Sequence, residues 1–124
     1  MTRDHTVLNI DVAPTIVAAA RRQVPERMQG RDFSALYLSG RAAPWRDEFF
    51  YEHPTITSRD RIPSSVGVIR RDWKYVHWPE FDYEQLFDLK KDPEELRNLA
   101  LEPASDRRRA TMRAKLEEWR VRAK

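Results

Sequence analysis

The segment 66–100 constrains the fold of this chain most, because its apolar residues alternate with a period of two. One predicted strand places Val66 and Val68 on the same side, and the next does the same with Trp73 and Tyr75. Branched and aromatic side chains in this alternation favour strands. The polar residues 70–72 between the two runs are short enough for a hairpin. The segment therefore predicts two adjacent antiparallel strands.

Two further apolar runs extend this prediction to a sheet of about four strands. Leu86, Phe87 and Leu89 form a third short run, which the turn residues 90–93 end because proline cannot extend a central strand. The segment 47–53 is also strand-like, and a long polar loop, 54–65, follows it. A loop of that length is typical of a functional or a mobile segment.

Helical spacing appears near both ends of the chain. Asp11 is predicted to cap a helix that runs to about Ala20, preceded by a strand end at 7–10. Ser105 is predicted to cap a longer helix with Asp106 in its first turn. The apolar stripe of the first helix is Val12, Ile16, Ala19 and Ala20, with Val17 beside it. The stripe of the last helix, expected to pack on the sheet, is Met112, Leu116, Trp119 and Ala123.

The intervening segments are expected to be short turns and linkers. Residues 33–38 are predicted to form a single helical turn that Gly40 ends, and 94–100 to form another turn of helix. Around Pro44 the composition indicates a linker, which we take as a subdomain boundary. These patterns together predict an α+β chain, with a helix and loop followed by a small antiparallel sheet packed against a long C-terminal helix.

Composition limits the kinds of function that are open to the chain. Its 124 residues include no cysteine, which excludes disulfides and thiolate metal sites. No apolar run approaches the roughly 20 residues that a membrane span needs. The net charge of +3 comes mostly from the C-terminal segment, since the residues from Ser105 onward include eight Lys or Arg and only three acids. A solvated helix face is the expected use of these charges, and without a nucleic-acid motif we do not predict nucleic-acid binding.

The sequence contains no recognisable catalytic centre. It has no Gly-rich phosphate loop, no G-x-S-x-G and no H-E-x-x-H, and its three histidines lack metal-ligand spacing. We therefore predict no catalytic and no metal-binding residue. His53, at the start of the long loop, can donate to an anion, and Arg59 and Arg61 can pair with a sulfate or carboxylate. These three are the candidate substrate-binding residues.

Five stretches in the same order resemble the C-terminal part of the sulfatase family. The family patterns are roughly N-x-D-L-A-P-T-L, P-E-G-M-Q-G-R-S, WR-x-x-FFYEH, GVRT-x-x-YKYI and E-x-LYDL-x-x-DP-x-E-x-x-NLA. The matching stretches of this chain are NIDVAPTI at 9–16, PERMQGR at 25–31, WRDEFFYEH at 45–53, GVIRRDWKYV at 67–76, and QLFDL, DPEE and NLA between 85 and 100.

The resemblance implies a domain organisation and a location for the catalytic residues. Residues 1–40 would be the last helix and loop of a large α/β domain, and 41–124 would be the small C-terminal subdomain. Catalysis in the family depends on a formylglycine made within a C/S-x-P-x-R motif and on a divalent cation, usually calcium. Because this chain lacks that motif, no catalytic or metal residue is carried over to it. Substrate recognition through His53 is the functional role that this leaves.

Two hypotheses about function follow from the sequence. The first is that the chain is a C-terminal part of a sulfatase and is inactive alone. Its partner would be the absent N-terminal sulfatase domain. Without that domain, Val12, Ile16 and Val17 would form an exposed apolar patch. The second is a free-standing module that binds anionic polymers through its basic final helix.

One position departs from the family pattern. Arg21 stands where a glycine commonly ends the first helix, and this costs about 1 kcal/mol if the φ of Arg21 is positive.

Overall fold

The computed structural model describes residues 5–38, 44–54, 58 and 61–123. Contacts divide the chain into two units, 1–47 and 48–124. The α+β prediction is confirmed, with a four-stranded antiparallel sheet, a long C-terminal helix and a helix near the N-terminus. Within the described residues, no helix is long and apolar enough to cross a membrane.

The first unit is built around the carboxylate of Asp11, which is fully buried. A 3₁₀ segment, Asn9–Asp11, leads into helix α1, Val12–Ala19, and helix α2 spans Ala35–Leu38. The carboxylate accepts the backbone N–H of Leu8 at 2.7 Å and that of Arg31 at 2.8 Å, and it forms a bidentate ion pair with Arg46. It therefore joins three separate stretches of the unit.

Those contacts correct two predictions about the N-terminal segment. The expected strand end at 7–10 is wrong, because the Asp11 N–H donates to the Leu8 carbonyl at 3.0 Å and closes a 3₁₀ turn there. Asp11 precedes α1 as expected, but its side chain caps no amide of that helix. Burial opposes ionisation of the carboxyl, yet the bonds from Arg46, Arg31 and Leu8 outweigh it and hold the Asp11 pKa at about 2.

The second unit contains the predicted sheet. Strands β1 (Glu48–His53), β2 (Ser65–Arg70), β3 (Trp73–Trp78) and β4 (Tyr83–Asp88) lie side by side in chain order, and all neighbours are antiparallel. The register aligns one row of side chains across the four strands: Phe50, Val68, Tyr75 and Leu86. This row is the apolar face that the alternation predicts.

Helix α3 (Asp106–Arg122) covers that face. Met112 and Leu116 are buried in one cluster with Val68, Tyr75 and Leu86, and Trp119 packs at its edge. The predicted stripe is confirmed at these three helix positions. Ser105 does precede α3, but its side chain makes no capping hydrogen bond, so its predicted role as a side-chain cap is wrong.

The opposite face of the sheet depends on a glycine. A Cβ on Gly67 would lie 2.4 Å from Cε1 of Tyr51, its neighbour in the register, and 3.0 Å from the carbonyl oxygen of Tyr75. Both distances are too short for an ordinary contact, so the Tyr51 ring can cross β2 only because residue 67 has no side chain.

The loop after β4 is fixed by one amide side chain. Asn98 Oδ1 accepts the N–H of Leu86 and that of Ala100, each at 3.0 Å, and its Nδ2 donates to the Glu84 carbonyl at 3.0 Å. The helical turn predicted at 94–100 is wrong, because Glu95 has a positive φ of 57° and these bonds hold the chain along β4. The free edge of β4 is thereby covered.

The predicted helical turn at 33–38 is confirmed as α2, whereas Gly40 lies outside the described residues.

Helix α1 ends in a Schellman motif. Arg22 N–H donates to the Val17 carbonyl at 3.1 Å, and Arg21 N–H donates to the Ala18 carbonyl at 2.8 Å. Arg21 has φ 55°, the left-handed conformation that favours glycine, so the strain considered from the sequence is present.

Replacing Arg21 by glycine should stabilise α1. Removing the Cβ strain is expected to raise the local free energy of opening by about 1 kcal/mol, which slows amide exchange about fivefold. Native-state hydrogen exchange of the α1 amides measures this directly. Arg22→Gly is the matched control, since Arg22 has no positive φ. Equal effects of the two variants would show that Arg21 is not strained.

Candidate substrate-contact site at one end of the sheet

The predicted site residues belong to the loop between β1 and β2. His53 is the last residue of β1, is half-buried, and pairs in the register with Ser65. Arg61 is exposed, and its N–H donates to the Ser58 carbonyl at 3.1 Å. Arg59 lies outside the described residues. The structure thus places His53 and Arg61 toward the two ends of one loop, at the same end of the sheet.

A carboxylate clamps the C-terminal end of this loop. Glu80 lies in a 3₁₀ segment, Pro79–Phe81, that follows β3. It accepts the Ser64 backbone N–H at 3.0 Å through Oε1 and the Ser64 hydroxyl at 2.7 Å through Oε2. Because both donors of Ser64 are bound by one carboxylate, the pair is arranged as a tether rather than as a nucleophile and its base.

The strand alternation places Tyr51 and His53 on the sheet face opposite the one that α3 covers. Tyr51 is hydrogen-bonded to Ser65, and burial raises the Tyr51 pKa. Trp78 Nε1 donates to Gln85 Oε1 at 2.9 Å on the two strands farther across. Tyr51, Trp78 and Gln85 therefore already have hydrogen-bond partners. His53 and Arg61 remain the candidates for binding an added oxyanion.

The face toward α3 carries a polar cluster that the sequence analysis did not find. Glu84 accepts the Tyr75 hydroxyl and the Arg113 guanidinium, the latter at 2.6 Å. Burial and the bond to Glu84 raise the Tyr75 pKa to about 12. Burial of Glu84 opposes ionisation, but the bonds from Arg113 and Tyr75 outweigh it and lower the Glu84 pKa. The cluster ties β3 and β4 to α3.

A small cavity of about 320 Å³ lies beside this cluster, where His77 Nε2 is 3.7 Å from an Asp82 carboxylate oxygen. The sequence signal for the cluster is weak, because Tyr75, Glu84 and Arg113 come from three separate elements. In the described part of the chain, no three His, Asp or Glu side chains come together as a metal-binding group.

Loss of the Glu80 tether should loosen the loop that carries Arg61. Two charge-assisted hydrogen bonds are removed in Glu80→Ala, so the Ser64 amide is expected to exchange about tenfold faster or more. Hydrogen exchange measured by NMR gives this rate. Glu94→Ala, at an exposed acid of the later loop, is the control and should leave Ser64 unchanged. An unaltered Ser64 rate in Glu80→Ala would contradict the tether.

Comparisons with known proteins identify the family of this chain. A model of the family described as "N-sulphoglucosamine sulphohydrolase, C-terminal" matches residues 1–122. The Delta 4,5-hexuronate-2-O-sulfatase of Bacteroides thetaiotaomicron is 29% identical over 131 aligned positions, which cover 98% of this chain and 25% of that protein. The multifunctional alkaline phosphatase superfamily protein PehA of Trinickia caryophylli is 33% identical over 107 positions, which cover 77% of this chain and 21% of that protein.

A solved structure of a 2-O GAG sulfatase superposes with a TM-score of 0.84 at 26% identity, covering 98% of this chain and 27% of that one. The chain thus spans about a quarter of the length of these relatives or less. The resemblance drawn from the sequence is confirmed, and because the family model matches nearly every residue, the chain belongs to the C-terminal family of the sulfatases.

Proposed function

We propose that this chain is the scaffolding and substrate-contact part of a sulfate ester hydrolase whose catalytic residues lie outside it. The observation that carries the proposal is the family match over residues 1–122 in a chain without a C/S-x-P-x-R motif. The partner is the N-terminal sulfatase domain. Calcium and formylglycine belong to that domain, since no residue of this chain matches the motif that supplies the formylglycine.

Within that protein, His53, Arg59 and Arg61 contact the substrate. The proposal rests on their chemistry and place in the chain: an imidazole and two guanidinium groups are donors that suit a sulfate ester. Among the described residues, the Arg61 guanidinium has no acid partner, so it is available to an anion. The tether on Ser64 limits the movement of the segment that carries it.

Residues 1–40 form the end of the large α/β domain in this proposal. Support comes from the exposed apolar side chains of α1, where Val12 is 47% and Ile16 is 64% exposed. Apolar residues at i and i+4 share one helix face, and an exposed apolar face of this kind marks an interaction surface. The catalytic domain is the surface that we expect to cover it.

The alternative of a free-standing module for anionic polymers is not supported by the comparisons. The charges of α3 also weaken it, because Arg109, Arg113 and Arg120 are each paired with a carboxylate. These arginines are therefore less available to a polyanion than the count of eight basic residues from Ser105 onward indicates.

Two assays test the proposal. The chain alone, with 4-nitrophenyl sulfate or 4-nitrophenyl phosphate and calcium, should give no turnover above the protein-free blank, because it has no activated nucleophile. Clear turnover of either ester by the chain alone would overturn the scaffolding role. The phosphate ester is included because one relative is a member of the alkaline phosphatase superfamily.

The second assay uses a protein that carries this chain after a catalytic domain. His53→Ala should raise KM about tenfold, as expected for the loss of a hydrogen bond to a charged group. His77→Ala is the matched control, because His77 lies in β3 beside Asp82 and the Arg113 cluster. An unchanged KM in His53→Ala, or an equal rise in both variants, would contradict the role of His53.

A further inference from the structure

A cavity of about 590 Å³ lies where Trp73 meets the beginning of α3. Its lining contains an indole, two guanidinium groups and two hydroxyls but no carboxylate. The residues are Trp73, Ala104, Ser105, Arg107, Arg108 and Thr111. None of these residues belongs to the candidate substrate-contact site. The cavity is therefore a separate place where positive charge is concentrated.

The two arginines of this cavity differ from three other arginines of α3. Arg109 is paired with Asp106 at 2.9 Å, Arg113 with Glu84 at 2.6 Å and Arg120 with Glu117 at 2.9 Å. Arg107 and Arg108 have no acid partner and donate no side-chain hydrogen bond within the part of the chain that the structure describes. Both guanidinium groups are therefore without an ion-pair partner in that part of the chain.

Two features prepare the cavity to hold an anion. The Arg108 guanidinium stacks over the Trp73 ring at 4.7 Å from its centroid, a cation–π contact that restricts the arginine before any ligand binds. The Ser105 side chain makes no capping bond, so its hydroxyl remains available as a donor. The planar guanidinium group is well suited to the oxygens of a sulfate or phosphate.

We propose that this cavity binds one small tetrahedral oxyanion, the sulfate or phosphate group of a monoester, between Arg107 and Arg108 beside Trp73. The anion supplies the negative charge that the cavity lining lacks. The volume exceeds that of the anion alone, which leaves room for the group that it esterifies. The inference does not depend on His53 or on sulfatase activity.

The test is an NMR titration of the chain with sodium sulfate against sodium chloride at constant ionic strength. Saturable shifts are expected at the Trp73 indole N–H and at the amides of 105–108. Titrations with phenyl sulfate and phenyl phosphate then show which oxyanion is preferred, and tighter binding of either one than of inorganic sulfate supports a site for a monoester. Shifts that do not saturate, or that fall outside this region, would overturn the proposal.

Two variants separate a site from general attraction to a basic helix. Arg107→Gln with Arg108→Gln should weaken sulfate binding about tenfold or more, because two charge-assisted hydrogen bonds are lost. Arg122→Gln is the matched control: Arg122 also stacks on a tryptophan, Trp119, at 5.8 Å, on the same helix. Arg122→Gln should change the affinity for sulfate less than twofold, because a distant surface charge that salt screens has only a small effect. Equal losses in both would overturn the site.

Discussion

The burial of α3 against one face of the sheet is the interaction on which the second unit depends. Met112 and Leu116 have almost no exposed surface, and the side chains beneath them, Val68, Tyr75 and Leu86, come from three consecutive strands. Burying a large apolar side chain contributes about 1.5–3 kcal/mol. A small sheet gains most of its stability from such a cover, because strands alone are marginal in water. The polar cluster around Glu84 then fixes where the helix lies.

Most of the sheet could be predicted because its information is local. The alternation around Val68 and Tyr75 sets which side chains face the core, and the structure confirms the strands and the helix that covers them. The turns were harder. A helical turn at 94–100 was predicted from composition, but Asn98 makes bonds to β4 that no local pattern shows. Likewise, the Asp11 carboxylate pairs with Arg46, 35 residues along the chain, and does not cap α1.

The same difference between local and long-range information applies to the candidate site. His53 and Arg61 could be proposed from residue type and from the length of their loop. The tether from Glu80 and the pairing of Tyr75 with Glu84 could not, because each joins segments that meet only in the folded chain. The chain covers 21% and 25% of two of its relatives, so most of each relative lies outside the part that can be compared.

Residues 48–124 enclose an apolar core of their own, so we expect this segment to fold by itself. The direct measurement is native-state hydrogen exchange of this segment expressed alone. The amides of β2, β3, β4 and α3 should keep the protection that they have in the whole chain, and they should open together with one free energy. Fast exchange of all these amides in the isolated segment would contradict the account, because the core would then need support from the rest of the chain.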